Sequence, residues 1–204
     1  LLTLKVSGLA TLLSVIIGVP LAFFLAFKVF WGKKVLASLV NAGMGLPPVV
    51  VGLWVSLFLW RTGPLGFLRL MYTPVAMVIA QTIIALPLVT GFTLAGLQQL
   101  NPKLPLQLLA LGATPGQMLI TLVKEARLAI VAAVMAGFGR VVAEVGASNM
   151  VGGNIYGQTR VLTTATMLEV GKGNFALALA LSFVLIFFIY GVSYCLTMVQ
   201  QRRR

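Results

Sequence analysis

The chain has 204 residues, of which 60% are hydrophobic and 9% charged, against roughly 45–50% and about 25% in soluble domains. That composition excludes a soluble globular enzyme. Lys and Arg number 15 against three acidic residues, a net charge of +12 with no His; the cations are spread along the chain and form no single basic stripe, which excludes nucleic-acid binding and points to membrane topology.

In chain order, five apolar blocks can each cross a hydrocarbon core of ~30 Å as helix: 6–30, 35–60, 74–97, 128–151 and 175–199. Their only charges are Lys28, Arg140 and Glu144. The sequence therefore predicts an all-α polytopic membrane protein, with five transmembrane helices forming one domain over 1–204. The first block is longer than a signal-peptide core and no cleavage site follows it. Because the chain begins at Leu1 and not Met, its natural start is expected further upstream.

Five spans put the termini on opposite sides. Lys28, Lys33, Lys34, Lys103, Lys124, Arg127, Arg202, Arg203 and Arg204 fall on one side, and Lys5, Arg61, Arg69, Arg160 and Lys172 on the other. The richer side is assigned to the cytoplasm. Loops 31–34 and 98–127 then lie inside with the C-terminus, while loops 61–73 and 152–174 lie outside with the N-terminus. Gly18 with Pro20, Gly45 with Pro47 and Pro48, and Pro87 with Gly91 interrupt three of the spans. Each Pro frees a carbonyl, so these helices pack around one another or a wet cavity, unless they merely reflect the Pro and Gly content usual in membrane helices. No internal repeat is visible, which disfavours a transporter built from inverted halves.

Loop 98–127 is the most informative stretch. Residues 104–111 read as a short apolar helix, Gly112 as its left-handed stop, and Thr114 with Pro115 as the N-cap and first turn of a second helix. Leu104, Leu106, Leu108, Leu109 and Leu111 are too apolar to leave in water. The bilayer surface, the protein's own helix ends or a cytoplasmic protein must cover them.

Glu125, Glu144 and Glu169 lie in separate segments, and the single cysteine, Cys195, sits in the last span. No paired acid/base, disulfide or metal-ligand set follows, and no cofactor is expected. Gly171-Lys172 is not a phosphate loop, because Thr166 occupies the first glycine position. Arg140 and Glu144 are four residues apart on the fourth span, so one helix face carries both. They form either a structural ion pair or a positive point presented to a passing anion and steadied by the carboxylate. Segment 148–174 reads as a polar loop, either a membrane-dipping cap over the outer mouth or a solvated connector.

The Leu111-Gly112-Ala113 core, preceded by a short helix and followed by a span, resembles the coupling loop of permease subunits of ATP-binding-cassette importers. Leu106, Gln107 and Leu108 stand where that family has acidic and alanine positions, and its Leu-Pro is replaced by the neighbourhood of Glu125, Ala126 and Arg127. The run 137–147, GFGRVVAEVGA, with 151–155, VGGNI, and 159–165, TRVLTTA, is similar to the tungstate-type permeases of the tungstate, molybdate and sulfate group. The resemblance implies a type I ABC importer permease fold in a prokaryotic inner membrane and no enzymatic activity in this chain. It implies separate ATPase subunits, an extracytoplasmic solute-binding protein and a second permease copy as partners. Coupling to the ATPase is then expected at Leu106, Leu108, Leu109, Leu111, Gly112, Ala113 and Thr114. The translocation pathway or its gate is expected at Arg140, Glu144, Ser148, Thr159, Thr163 and Thr164. The expected cargo is an oxyanion, tungstate first, with molybdate or sulfate as alternatives; a passive anion channel or a membrane scaffold is the reading from another class.

Overall fold

The computed structural model describes residues 1–201, and among these every regular element is helical. The expected cytoplasmic charge of Arg202, Arg203 and Arg204 lies outside the described residues. Helix α1 (Leu2–Phe27) runs 26 residues, about 39 Å at helical rise, and stops just before Lys28. Its inner face carries Thr3, Ser7, Ser14, Gly18 and Ala22, all buried. Small groups at these positions let the backbone of α4 (Pro74–Gln98) approach closely. A Cβ at Gly18 would stand 2.8 Å from Thr90 Oγ1, and Ser14 Oγ donates across the helix pair to the Thr82 carbonyl at 3.2 Å.

The expected single span over 35–60 is two helices, α2 (Lys33–Met44) and α3 (Pro48–Leu59), bent by 106°. Pro47 and Pro48 explain the break. Neither has an N–H to continue the ladder, and Pro47, as the residue before a proline, is held extended at φ −65° and ψ 124°. The expected span over 128–151 is likewise α7 (Arg127–Val142) and α8 (Gly146–Gly152), bent by 59°. No proline causes this second break; it turns on Glu144 and on the packing of α8, described below.

Between α4 and α7 lie α5 (Leu104–Ala110) and α6 (Pro115–Glu125). Loop 152–174 is not irregular as expected, because it contains α9 (Leu162–Gly171). Thr164 explains that helix: its Oγ1 accepts the N–H of Val161 at 3.1 Å, satisfying an end-of-helix donor. Helix α10 (Phe175–Gln201) is peripheral, with Phe183 69% and Phe187 73% exposed.

Helix α4 is the mast of the fold and packs on α1, α2, α3, α7 and α8. One apolar cluster gathers Val6, Val55, Leu59, Met77, Val141 and Val151 towards the N-terminal end of α4. A second gathers Phe23, Leu25, Val40, Leu94, Leu97 and Leu122 towards its C-terminal end, beneath α5 and α6. Among the described residues three helices are long and apolar enough to cross a membrane, or up to five spans if each bent pair is one.

Candidate functional site

Two sites follow from this frame, one at each end of α4. At its C-terminal end α5 and α6 form a rigid corner. Gly112 takes φ +76°, its N–H donates to Leu109 O at 3.0 Å, and the N–H of Ala113 donates to Leu108 O at 3.0 Å. This pair of bonds closes α5 as a Schellman turn. The next helix starts immediately: Thr114 Oγ1 accepts from Gln117 N, while Gln117 Oε1 accepts from Thr114 N at 2.9 Å. Such a reciprocal capping box fixes the direction of α6.

The corner holds its leucines in two directions. Leu104 packs with Met118 against the lower apolar cluster. Leu106, Leu109 and Leu111 point outward at 68%, 54% and 83% exposure, and Leu119 and Ile120 extend the ridge on α6. Leu108 and Ala113 are half-buried, whereas Gly112 and Thr114 are exposed. The sequence-predicted coupling residues therefore lie together on one corner, anchored below and bare above.

Near the opposite end of α4 the break between α7 and α8 gathers polar groups. Glu144 lies in the break, almost buried, and its Oε1 accepts the Ala147 N–H at 2.8 Å. The carbonyl of Glu144 accepts from Thr163 Oγ1 at 3.0 Å, tying α9 to the same joint. Ser148 is fully buried, and its Oγ accepts from Gln81 Nε2 of α4 at 3.0 Å. Thr159 Oγ1 donates to the Gly152 carbonyl at 2.5 Å and accepts from Ile155 N at 3.0 Å, pinning the loop that leads to α9. Thr3 at the start of α1 accepts the Leu162 N–H at 3.0 Å, closing the network.

Arg140 stands apart from this network. It is exposed on α7 and forms no ion pair with Glu144; among the described residues the ion pair is Lys172 with Glu169 at 2.7 Å. The expected Arg140–Glu144 pair fails because α7 ends at Val142, so the four-residue spacing no longer places both on one helix face. Glu144, Ser148, Thr159, Thr163 and Thr164 are all buried inside the chain and bonded chiefly to backbone. Sequence reasoning missed Gln81. It is 2% exposed, and its Oε1 has no partner among the described residues; a lone amide in the apolar run of α4 was the available signal. At the end of α9 Glu169 has its carboxyl held below the usual range, first by the hydrogen bond from Lys172.

The chain is similar to several known proteins. It is 41% identical over 196 residues to a probable anion ABC transporter permease protein of Haloferax volcanii, covering 94% of this chain and 84% of that one. It is 34% identical over 200 residues to the tungstate uptake system permease protein TupB of Peptoclostridium acidaminophilum, covering 98% and 88%. Against the molybdenum transport system permease protein ModB of Escherichia coli K12 identity is 29% over 184 residues, covering 85% and 80%. The fold matches a chain of the inward-facing MetNI methionine ABC transporter with a TM-score of 0.82 at 18% identity, over 98% of this chain and 92% of that one. This is the type I importer permease fold. Residues 18–204 match the family described as the inner membrane component of binding-protein-dependent transport systems, and the chain belongs to that family.

Proposed function

We propose that this chain is the membrane-spanning subunit of an ATP-driven importer of a tetrahedral oxyanion, tungstate first, with molybdate and sulfate as the alternatives. The observation that carries the reading is the corner of α5 and α6: an apolar ridge of Leu106, Leu109 and Leu111, held at fixed angle by two sets of caps and left uncovered by the chain itself. A rigid, exposed apolar ridge serves to dock a partner. In this reading the partner is an ATPase subunit that receives Leu106, Leu108, Leu109 and Leu111, with Gly112, Ala113 and Thr114 forming the joint.

Energetics point the same way. Moving a dianion inward against an inside-negative potential costs about 2.3 kcal/mol per charge per 100 mV, before any concentration gradient. The sequence holds no nucleotide-binding motif to supply this, so the energy arrives through the corner. The relatives named for tungstate and anion transport support the cargo. A solute-binding protein on the outer side, a second copy of this chain across the pathway, an outer N-terminus and a cytoplasmic C-terminus complete the proposal. The break between α7 and α8, with Glu144, Ser148, Thr159, Thr163 and Thr164, acts as the joint of the outer gate, and Arg140 faces the pathway.

The test is ATP-dependent tungstate uptake into proteoliposomes holding the complete complex, with Leu111→Glu beside the parent. Leu111 is 83% exposed, so the substitution spares the fold and places a charge in the docked interface. Uptake should fall at least tenfold while the permease stays in the membrane. Unchanged uptake removes the docking role, and tungstate flux without ATP turns the reading into that of a passive channel.

A further inference from the structure

The loop between α3 and α4, on the face opposite the α5–α6 corner, encloses an open cavity of about 890 Å³. Its walls include Trp60, Arg61, Phe67, Arg69 and Tyr72. This loop is built tightly. A Cβ at Gly63 would land on the Leu57 carbonyl oxygen, and one at Gly66 on the Trp60 carbonyl oxygen, so both positions admit glycine alone. The N–H of Leu65 donates back to Phe58 O at 2.9 Å. Arg69 and Tyr72 hold φ of 51° and 63°, left-handed backbone that disfavours residues with side chains and persists where the surroundings impose it. Tyr72 is fixed further: its N–H donates to Val151 O of α8 at 2.9 Å, and its ring meets Trp60 edge-on at 6.3 Å.

Among the described residues, the two arginines in this wall have no carboxylate partner. The chain has three acidic residues. Glu125 ends α6, a full length of α4 away; Glu144 is engaged by the Ala147 N–H; Glu169 is held by Lys172. Both arginines line this one cavity and are exposed on it, so an anion seated there would meet two positive charges. A tight loop presents both, one of them on left-handed backbone. Guanidinium forks match the oxygens of a tetrahedral oxyanion in paired hydrogen bonds.

We propose that this cavity binds a tetrahedral oxyanion through Arg61 and Arg69. The ligand chemistry is shared by two sources, the free oxyanion that the importer reading supplies and the phosphate of a lipid headgroup at the membrane surface. As a capture site for the free anion, the inference rests on that reading; as an oxyanion site, it stands on the cavity. Through Tyr72 and Val151 an occupied cavity bears directly on α8, the outer arm of the broken span.

Calorimetry on the full chain in nanodiscs tests it, with sodium tungstate as titrant. In phosphatidylcholine alone, one anion should bind per chain, more weakly as salt rises. Arg61→Gln and Arg69→Gln should each weaken binding about tenfold, the loss of a charge-assisted hydrogen bond. Arg61→Lys and Arg69→Lys should restore part of it, and Arg69→Asn, which tolerates the left-handed backbone, separates lost charge from lost fold. Adding phosphatidylglycerol, whose phosphate keeps the net negative charge that choline cancels in phosphatidylcholine, distinguishes the sources: unaffected tungstate binding assigns the site to the soluble anion, and arginine-dependent competition assigns it to the anionic headgroup. Tungstate binding that survives both Gln substitutions, or no binding with either lipid, overturns the site. Uptake by the complete complex separates the two claims. Unimpaired ATP-driven uptake with no arginine-dependent binding discards the cavity and keeps the importer, whereas binding without any oxyanion uptake does the reverse.

Discussion

Gly112 allows the α5–α6 corner to be tested without touching the ridge itself. It adopts φ +76°, and a Cβ built there meets nothing within 4 Å. The cost of Gly112→Ala is therefore conformational and not steric. Left-handed backbone costs an L-residue about 1–2 kcal/mol, a small fraction of the stability of a domain, so the membrane helices stay assembled. The strain falls on the two bonds that close the turn, from Gly112 N to Leu109 O and from Ala113 N to Leu108 O. If the turn opens locally, amides at Leu111, Gly112 and Ala113 should exchange roughly 5- to 30-fold faster, the equivalent of that energy. Asn tolerates the left-handed region better, so Gly112→Asn should lie between parent and Ala. Hydrogen exchange read by mass spectrometry over 104–125 measures this, and ATP-driven uptake in the same preparations should fall in the same order. If Ala and Asn exchange alike and like the parent, the turn is not set by the backbone conformation of Gly112, and the argument for a rigid corner is wrong.

Three further outcomes follow from contacts already described. Gly52→Ala places a Cβ 2.7 Å from the backbone Cα of Ala147, so thermal unfolding in detergent should show about 1–3 kcal/mol of destabilisation, while Gly8→Ala, with nothing within 4 Å, should stabilise α1 by about 0.5–1 kcal/mol; equal effects would refute the close approach of α3 and α8. Glu144→Leu leaves the Ala147 N–H without its acceptor and should cost about 1–3 kcal/mol, whereas Glu144→Gln keeps an oxygen there and should cost less; the same melting measurement ranks them. Because the folded carboxyl of Glu169 is held low by Lys172, its small stabilising contribution is present at neutral pH and lost as pH falls from the ordinary carboxylate value through the lowered one. Lys172→Gln should raise the Glu169 titration midpoint seen by NMR and reduce that acid-side loss, the Asn174 hydrogen bond and Arg160 keeping the remainder.

What the sequence made legible was local. Gly112, Thr114 and Pro115 carry their conformations in their own side chains or lack of them, and the corner they define is found where they stand. The apolar spans are legible because hydrocarbon leaves a chain few options. The breaks are a different matter. Gly45, Pro47 and Pro48 mark the first, but a bend of 106° also requires a place for α3 to go, and that place is the surface of α8. The second break has no proline, and only the bond from Ala147 to Glu144 reveals it. Helix α9 was missed because its Thr-rich opening has low helix propensity, which Thr164 overrides by accepting the Val161 N–H. The arginines of the α3–α4 loop read as topology signals, since nothing local says that Arg61 and Arg69 share one wall.

The two breaks belong to one piece of architecture. The first turn of α3 and the first turn of α8 lie against each other: a Cβ at Gly146 would meet Val49 Cγ2 at 2.7 Å, and one at Gly52 would meet Ala147 Cα. Each break frees backbone groups that an unbroken membrane helix would satisfy itself, and each is stabilised by what lies beside it, with Glu144 capping the second. Close backbone packing of this kind does not slide by fractions; packed surfaces have discrete arrangements. Helix α8 is thereby tied to α3 and to Trp60, the residue that follows α3. From the other side, α8 carries Tyr72 through the carbonyl of Val151. The cavity of the α3–α4 loop, the two bent spans and the Gln81–Ser148 bond to the mast α4 thus form one connected block. Helix α4 spans from the α5–α6 corner to this block and joins the block through its contacts with α7 and α8.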